Sequence, residues 1–268
     1  MNQSSILHGK RAIVFGAGGS VGAAVAKEFA TQGAEVFMAG RTQGSVDEAA
    51  RQILRTGGMA HAAVLDALDE AAVESYISGI VNQTGGIDIV FNAVGPQARE
   101  YGNGKNALEI DIEEFMVPVT TVLKSQFITA RACARHMVKQ RSGVIIFLTG
   151  GPARAHVEGT TAIGAAFGAI ESLTRNLALD ISPAGVRVVC VRSSAMTDSR
   201  TIRQTIEAMI SKIGMTKDQM AARLAGLTML KVSASVSDTA RVATFLASDH
   251  AHMMTGTVLN STGGAVAD

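Results

Sequence analysis

The stretch Gly16-Ala17-Gly18-Gly19-Ser20-Val21-Gly22 decides the fold of this chain. It follows the apolar run Ala12–Phe15 and leads into Val21–Gln32, where apolar residues recur at helical spacing. A glycine-rich turn between a strand and a helix presents backbone N–H groups and the positive end of the helix dipole, which together suit a pyrophosphate. The alternative is a tight turn without a ligand. We therefore predict a strand–turn–helix unit with a candidate nucleotide site at its turn.

The same alternation of strand and helix continues to the end of the chain. Six further β-rich runs predict strands at Glu35–Ala39, Ala60–Leu65, Ile87–Asn92, Val144–Leu148, Val186–Val191 and near Val258–Asn260. Helical patterns lie between them, at Val46–Thr56, Glu70–Gln83, Phe115–Gln140 and Ala162–Leu179. Such alternation specifies right-handed βαβ crossovers, and nearly all-apolar strands are typical of a parallel sheet covered on both faces. We predict an α/β fold with a single doubly wound parallel sheet in three αβα layers, formed by one domain over residues 1–268.

Residues 193–235 interrupt this rhythm. Two amphipathic helical patterns, Ser199–Ile213 and Lys217–Leu227, precede a last predicted helix at Asp238–Ala247. An insertion after the carboxyl end of a strand lies where open α/β sheets bind ligands, so a helical lid is predicted here. The methionines of the segment indicate either ordinary apolar helix faces or an adaptable lid over an apolar substrate; they are Met196, Met209, Met215, Met220 and Met229.

Composition excludes several classes of protein. The chain has 268 residues, of which 47% are hydrophobic and 18% charged, with a formal net charge of +1. It can therefore bury a large core, and we expect neither a nucleic-acid nor a membrane partner. No run approaches the roughly 20 apolar residues of a membrane span, and the polar segment Met1–Arg11 does not resemble a signal peptide. Cys133 and Cys190 fall in helical and strand patterns as small core residues, so a cytoplasmic location is expected.

The end of the second predicted strand bears on the nucleotide. It reads Met38-Ala39-Gly40-Arg41-Thr42, about twenty residues beyond the glycine turn. An acidic residue here would accept a hydrogen bond from the ribose 2′-hydroxyl of NAD, whereas an arginine accommodates the 2′-phosphate of NADP. Because Arg41 is present and no acid is, NADP(H) is favoured over NAD(H). The alternative is a solvated loop arginine.

Several motifs together resemble the short-chain dehydrogenase/reductase family and its Rossmann-type fold over nearly the whole chain. The turn resembles the family's G-x-x-x-G-x-G, with Ser20 at the middle glycine. The stretch Asp88–Gly95 is similar to D-x-x-V-N-N-A-G, and Glu171–Leu179 and Phe245–Asp249 resemble later family segments. The resemblance implies a nicotinamide cofactor held by Gly16, Gly18, Gly19, Ser20, Val21, Gly22, Arg41, Thr42, Asp66, Asn92 and Gly95.

The residues that perform the family's usual chemistry have no counterparts here. Members carry a Ser, a Tyr, a Lys four residues after it and an Asn in the preceding long helix. Matching the helix that contains Glu171–Leu179 puts Ile163 at the Tyr position, Phe167 at the Lys position, Gly150 at the Ser position and Val122 at the Asn position. The chain's two tyrosines, Tyr76 and Tyr101, both precede this helix, and no lysine occurs between Lys139 and Lys212.

Other side chains are candidates for the missing proton donor. Hydride addition to a carbonyl leaves a developing alkoxide, which needs a proton or a stabilising charge. Thr149 precedes the vacant Ser position, and Thr161 lies just before the vacant Tyr position. His156 is the residue type that exchanges protons near neutrality, although an exposed loop histidine is the alternative.

Three hypotheses remain open at this point. The first is an NADP(H)-dependent oxidoreductase with a substitute proton source, acting on a small apolar carbonyl, enone or imine. The second is an inactive nucleotide-binding regulator or partner subunit of the same fold, and the third is a non-redox enzyme. The resemblance also implies a homo-oligomer, with a tetramer favoured. No residue pattern indicates a metal site.

Overall fold

The computed structural model describes residues 5–214 and 216–268, and for residues 208–213 it describes the backbone alone. Met1 to Ser4 of the polar N-terminal segment, Met215 and the side chain of Met209 therefore lie outside the described residues. The strands are β1 Arg11–Phe15, β2 Glu35–Gly40, β3 Met59–Val64, β4 Ile89–Asn92, β5 Gly143–Gly150, β6 Val186–Ser193 and β7 Thr257–Ser261. The α-helices are α1 Ser20–Thr31, α2 Gln43–Arg55, α3 Glu70–Thr84, α4 Ile112–Pro118, α5 Lys124–Gln140, α6 Thr161–Ile181, α7 Arg200–Ile213, α8 Lys217–Gly226 and α9 Val236–Ala247.

Within the described residues the strands form one seven-stranded sheet in the order β3-β2-β1-β4-β5-β6-β7. Every neighbouring pair is parallel. The seven predicted strands are therefore confirmed, each within a few residues of its predicted bounds. The strand order reverses between β1 and β4, which is the point at which open α/β sheets bind ligands.

Alternate residues of each central strand pack into two separate cores. In β1, Ile13 and Phe15 face a core that also contains residues of α3, α5 and α6. Ala12 and Val14 face the opposite core, which contains residues of α1, α2 and α9. The side-chain period of two in a strand supplies both cores from the same residues. The predicted three-layer αβα arrangement is confirmed.

The predicted helical segment Phe115–Gln140 is helical throughout, but its hydrogen-bond pattern changes inside it. Helix α4 ends at Pro118, a π-helical turn follows at Val119–Leu123, and α5 begins at Lys124. Proline has no backbone N–H and its ring clashes with the carbonyl four residues earlier, so the regular hydrogen-bond ladder is interrupted there. The hydrophobic period continues through the break, and for that reason the sequence pattern did not reveal it.

The segment 193–235 begins with the last residue of β6 and contains α7 and α8, as predicted. Met220 on α8 and Met196 in the loop between β6 and α7 are buried, which fits ordinary apolar packing, whereas Met229 is exposed. Cys133 and Cys190 are both buried, and burial raises the pKa of each thiol, that of Cys190 to about 12. In the described part of the chain, no helix combines the length and apolar character that crossing a membrane requires.

Candidate cofactor cleft and active site

A cleft opens at the carboxyl ends of β1, β2 and β4, where the strand order reverses. Most of the predicted cofactor residues come together on its walls. The lining includes Gly16, Gly18, Gly19, Arg41, Thr42, Asp66 and Gly95, together with Thr121 and Arg200. The predicted residues Ser20, Val21 and Gly22 form the first turn of α1, directly after the lining glycines. The arrangement is open at the sheet edge and suits an extended ligand.

The glycine turn has its shape because two of its positions tolerate no side chain. Gly16 has φ +72°, and a Cβ added there would lie 2.7 Å from the carbonyl carbon of Ala93. A Cβ on Gly22 would lie 2.4 Å from the carbonyl oxygen of Gly16. Gly19 precedes α1 without any side-chain cap, so the N–H groups of the first helical turn can meet an anion.

Ser20 forms a contact that the sequence did not predict. Its Oγ accepts a hydrogen bond from the backbone N–H of Arg200, the first residue of α7, at 3.0 Å. Arg200 itself borders the cleft. Because the two residues are 180 positions apart, the only sequence signal was the position of the insertion after β6.

Arg41, Thr42 and Asp66 line the part of the cleft beyond β2 and β3. Arg41 is exposed, so its guanidinium is accessible to a ligand. The Asp66 carboxylate accepts a hydrogen bond from the backbone N–H of Leu68 at 3.0 Å, which fixes the turn after β3. This part of the cleft therefore offers one cation and one fixed carboxylate to a ligand.

Asn92 does not line the cleft. It is buried, its Nδ2 donates to Thr129 Oγ1 at 2.9 Å, and its Oδ1 accepts from the backbone N–H of Val94 at 2.8 Å. Asn92 therefore shapes the turn after β4, and Gly95 at the end of that turn is the residue that reaches the cleft. Its predicted contact with a cofactor stays a prediction, and its side chain holds the turn after β4 in place.

The four positions that correspond to the family's Asn, Ser, Tyr and Lys are apolar: they are Val122, Gly150, Ile163 and Phe167. Phe167 on α6 turns its ring towards Gly150, where an added Cβ would lie 3.1 Å from Phe167 Cε2. Ile163 and Val122 are both buried in the core that α3, α5 and α6 share. None of these four side chains can donate or accept a proton. The hydroxyl nearest in sequence to Val122, that of Thr121, lines the cleft instead.

The three predicted proton-donor candidates occupy different surroundings. Thr149 is buried, and its hydroxyl donates to Glu171 Oε1 at 3.3 Å and contacts Cys190 Sγ at 3.4 Å, so it is already engaged inside the core. His156 lies exposed in the loop between β5 and α6, and Thr161 is the exposed first residue of α6. The hydroxyl of Thr149 is therefore enclosed in the core, whereas His156 and Thr161 are accessible to a ligand.

A buried ion pair lies beneath α6 and was missed by sequence reasoning. Arg192 of β6 donates through Nε and Nη2 to both carboxylate oxygens of Glu171 at 2.7 and 2.8 Å. Both residues are at most 4% exposed, and Asp268 also accepts from Arg192. The hydrogen bonds to Glu171 raise the pKa of the Arg192 guanidinium above its usual value. The available signal was a second arginine at the end of the mostly apolar strand β6.

Both tyrosines are largely buried, and burial favours their neutral phenol form. Burial raises the pKa of Tyr101 to about 12, and burial likewise raises the pKa of Tyr76 well above its usual value. Among the described residues, no group of three or more His, Cys, Asp or Glu side chains could hold a metal ion.

Comparisons with known proteins agree with this geometry. A family model described as enoyl-(acyl carrier protein) reductase matches residues 16–266. The uncharacterized oxidoreductase YxbG of Bacillus subtilis is 29% identical over 97% of this chain and 92% of its own. Gluconate 5-dehydrogenase of Gluconobacter oxydans is 31% identical over 68% of this chain and 69% of its own.

Solved structures point the same way. The crystal structure of an NAD+-bound xylitol dehydrogenase has a TM-score of 0.88 and 26% identity, and the match covers 96% of this chain and 99% of that one. The range matched by the family model, residues 16–266, contains the glycine turn and nearly all residues that line the cleft. This chain therefore belongs to the short-chain dehydrogenase/reductase family of oxidoreductases.

Proposed function

We propose that this protein is an NADP(H)-dependent oxidoreductase whose active site lacks the family's usual Ser, Tyr, Lys and Asn residues. The observation that carries the proposal is the cleft itself. A glycine turn with two positions, Gly16 and Gly22, that tolerate no side chain borders the same cleft as Arg41. The same turn at the first strand–helix junction binds the phosphates of dinucleotides in this type of fold.

The preference for NADP(H) rests on Arg41. Its guanidinium is exposed at the cleft wall directly after β2, where an acidic residue would select the 2′-hydroxyl of NAD. A guanidinium can form two parallel hydrogen bonds to a phosphate, which makes it the stronger ligand for a 2′-phosphate. The cleft does include a carboxylate, Asp66, but that residue follows β3 rather than β2.

The proposed substrate is a small apolar carbonyl, enone or imine. The reduced nicotinamide, when bound, supplies a hydride to an electrophilic carbon, and a proton must reach the atom that gains the electron pair. Phe167, Ile163 and Val122 belong to the apolar core and offer no such proton. An imine that is already protonated needs no donor. For an enone, the candidates are water, His156 or Thr161.

A second candidate function follows from Phe167. Its half-buried ring approaches Gly150 so closely that it occupies the space of a serine side chain. A protein with this floor could bind the nucleotide and respond to it without hydride transfer, as a regulator or partner subunit. That reading predicts nucleotide binding with no consumption of NADPH over a panel of carbonyls, enones and imines. Turnover in the absence of any nicotinamide cofactor would instead favour a non-redox enzyme.

We also propose that the protein assembles as a homotetramer, which is the arrangement that the family resemblance implies. Light scattering on the purified protein would measure a mass about four times 27.8 kDa. A mass near 27.8 kDa would contradict the proposal.

The cofactor preference is tested by calorimetric titration with NADPH and, separately, NADH. We expect the wild-type protein to bind NADPH more tightly, and the Arg41→Ala variant to bind NADPH about 10–50-fold more weakly because a charge-assisted pair is lost. Its affinity for NADH should change by less than about 2-fold. Arg51→Ala, on the exposed face of α2, is the matched control and should bind both as the wild type does.

Two outcomes would contradict this assignment. If the Arg41→Ala variant lost affinity for NADPH and NADH by the same factor, Arg41 would not bind the 2′-phosphate. No binding of either cofactor by the wild-type protein would overturn the proposed function as a whole.

A further inference from the structure

Arg200 is a charged residue that lines the cleft and was not among the cofactor residues predicted from the sequence. It begins α7, in the segment that interrupts the strand–helix alternation, and borders the same cleft as Gly16, Gly18 and Gly19. Its backbone N–H is fixed to the Oγ of Ser20 at 3.0 Å. The first residue of α7 is thus anchored to the first residue of α1, at the end of the glycine turn.

The charges around Arg200 favour an anion. The other ionisable residues of the cleft lining are Arg41 and Asp66, and both lie beyond the ends of β2 and β3. The Asp66 carboxylate is engaged by the N–H of Leu68. Within the described residues Arg200 belongs to no ion pair, whereas nearby Glu207 is paired with Lys217. A guanidinium beside free helical N–H groups forms a strong site for phosphate oxygens.

We infer that Arg200 binds the diphosphate of the cofactor across the cleft from the glycine turn, and that Ser20 holds Arg200 in place for this contact. The inference rests on the proposed function. It also explains the serine at the middle position of the glycine motif, because only a side chain with an acceptor atom can anchor the N–H of Arg200. Ser20 is therefore a positioning residue, and cofactor binding is coupled to the segment 193–235.

The inference separates the roles of the two arginines. A 2′-phosphate is present in NADPH and absent from NADH, whereas the diphosphate is common to both cofactors. Replacement of Arg200 must therefore weaken the binding of both cofactors by the same factor, whereas replacement of Arg41 weakens the binding of NADPH alone. This equality distinguishes a diphosphate ligand from a residue that merely adds positive charge near the ribose.

The experiment is calorimetric titration of four proteins with NADPH and NADH: the wild type, Arg200→Gln, Ser20→Ala and Arg203→Gln. We expect Arg200→Gln to raise the dissociation constants of both cofactors about 10-fold, and Ser20→Ala to raise both about 3-fold. Arg203→Gln is the matched control, because Arg203 is exposed on the same helix and does not line the cleft. Its dissociation constants should equal those of the wild type.

Each other outcome overturns a defined part of the scheme. Unchanged affinities in Arg200→Gln, with tight wild-type binding, overturn the inference and leave the proposed function intact. A loss for NADPH alone assigns Arg200 to the 2′-phosphate and overturns the diphosphate assignment. A Ser20→Ala variant that binds like the wild type removes the positioning role of Ser20. A wild-type protein that binds neither cofactor overturns the proposed function together with the inference.

Discussion

Replacing Glu171 with alanine is expected to lower the free energy of unfolding by about 3–5 kcal/mol, because it leaves a buried guanidinium without its carboxylate. Arg192 is 3% exposed and donates hydrogen bonds to both carboxylate oxygens of Glu171 at 2.7 and 2.8 Å. Among the described residues, Asp268 is the other carboxylate that accepts from Arg192, and about half of its side chain is exposed. The hydroxyl of Thr149 also loses its acceptor. Urea denaturation at one fixed protein concentration measures the change.

Two further variants show whether the loss comes from the unpaired charge. The double variant Glu171→Leu/Arg192→Met removes both charges and keeps most of the volume, so it should recover much of the stability that Glu171→Ala loses. Glu48→Ala breaks the exposed pair with Arg51 and should leave the urea midpoint unchanged. A Glu171→Ala protein that unfolds at the wild-type midpoint would mean that Arg192 is not enclosed as the structure has it.

Local sequence determines most of the fold of this chain, and for that reason the sequence could predict it. The glycine turn, the apolar runs and the helical patterns between them each specify an element from adjacent residues. The break at Pro118–Leu123 escaped prediction because the hydrophobic period runs through it, while the backbone hydrogen bonds shift by one residue. The pattern of apolar and polar side chains does not indicate a change in backbone hydrogen bonding.

The candidate site also has a part that local sequence predicts and a part that it does not. The cofactor side of the cleft is formed by residues next to strand ends, so Gly16, Arg41 and Gly95 could be placed from sequence. Contacts between distant segments could not be placed, and the bond from Arg200 to Ser20 is of this kind. The side-chain bonds of Asn92 are also of this kind, because its amide joins Thr129 of α5 to the turn at Val94, and the motif alone did not reveal them.

The glycine turn is the part of the site most sensitive to substitution. We expect Gly22→Ala to raise the dissociation constant for NADPH on the order of 100-fold and to destabilise the protein by about 3 kcal/mol. The new Cβ would lie 2.4 Å from the carbonyl oxygen of Gly16 and 2.9 Å from the Cα of Ala17. Calorimetric titration and urea denaturation measure the two effects separately. Gly79→Ala is the control, because that position lies within α3 and has open space around it.

The size of this effect follows from the rigidity of the turn on its other side. Gly16 has little room to move away from a new methyl group, because a Cβ on Gly16 itself would lie only 2.7–2.8 Å from backbone atoms of Ala93 and Val94 after β4. The first turn of α1 must therefore move, and its N–H groups then no longer point into the cleft together. Two such hydrogen bonds to a charged phosphate, at about 1.5 kcal/mol each, account for the expected 100-fold loss. If Gly22→Ala bound NADPH as tightly as Gly79→Ala does, the phosphates would not bind at this turn. The assignment of Arg200 as a ligand of the diphosphate would then fail as well.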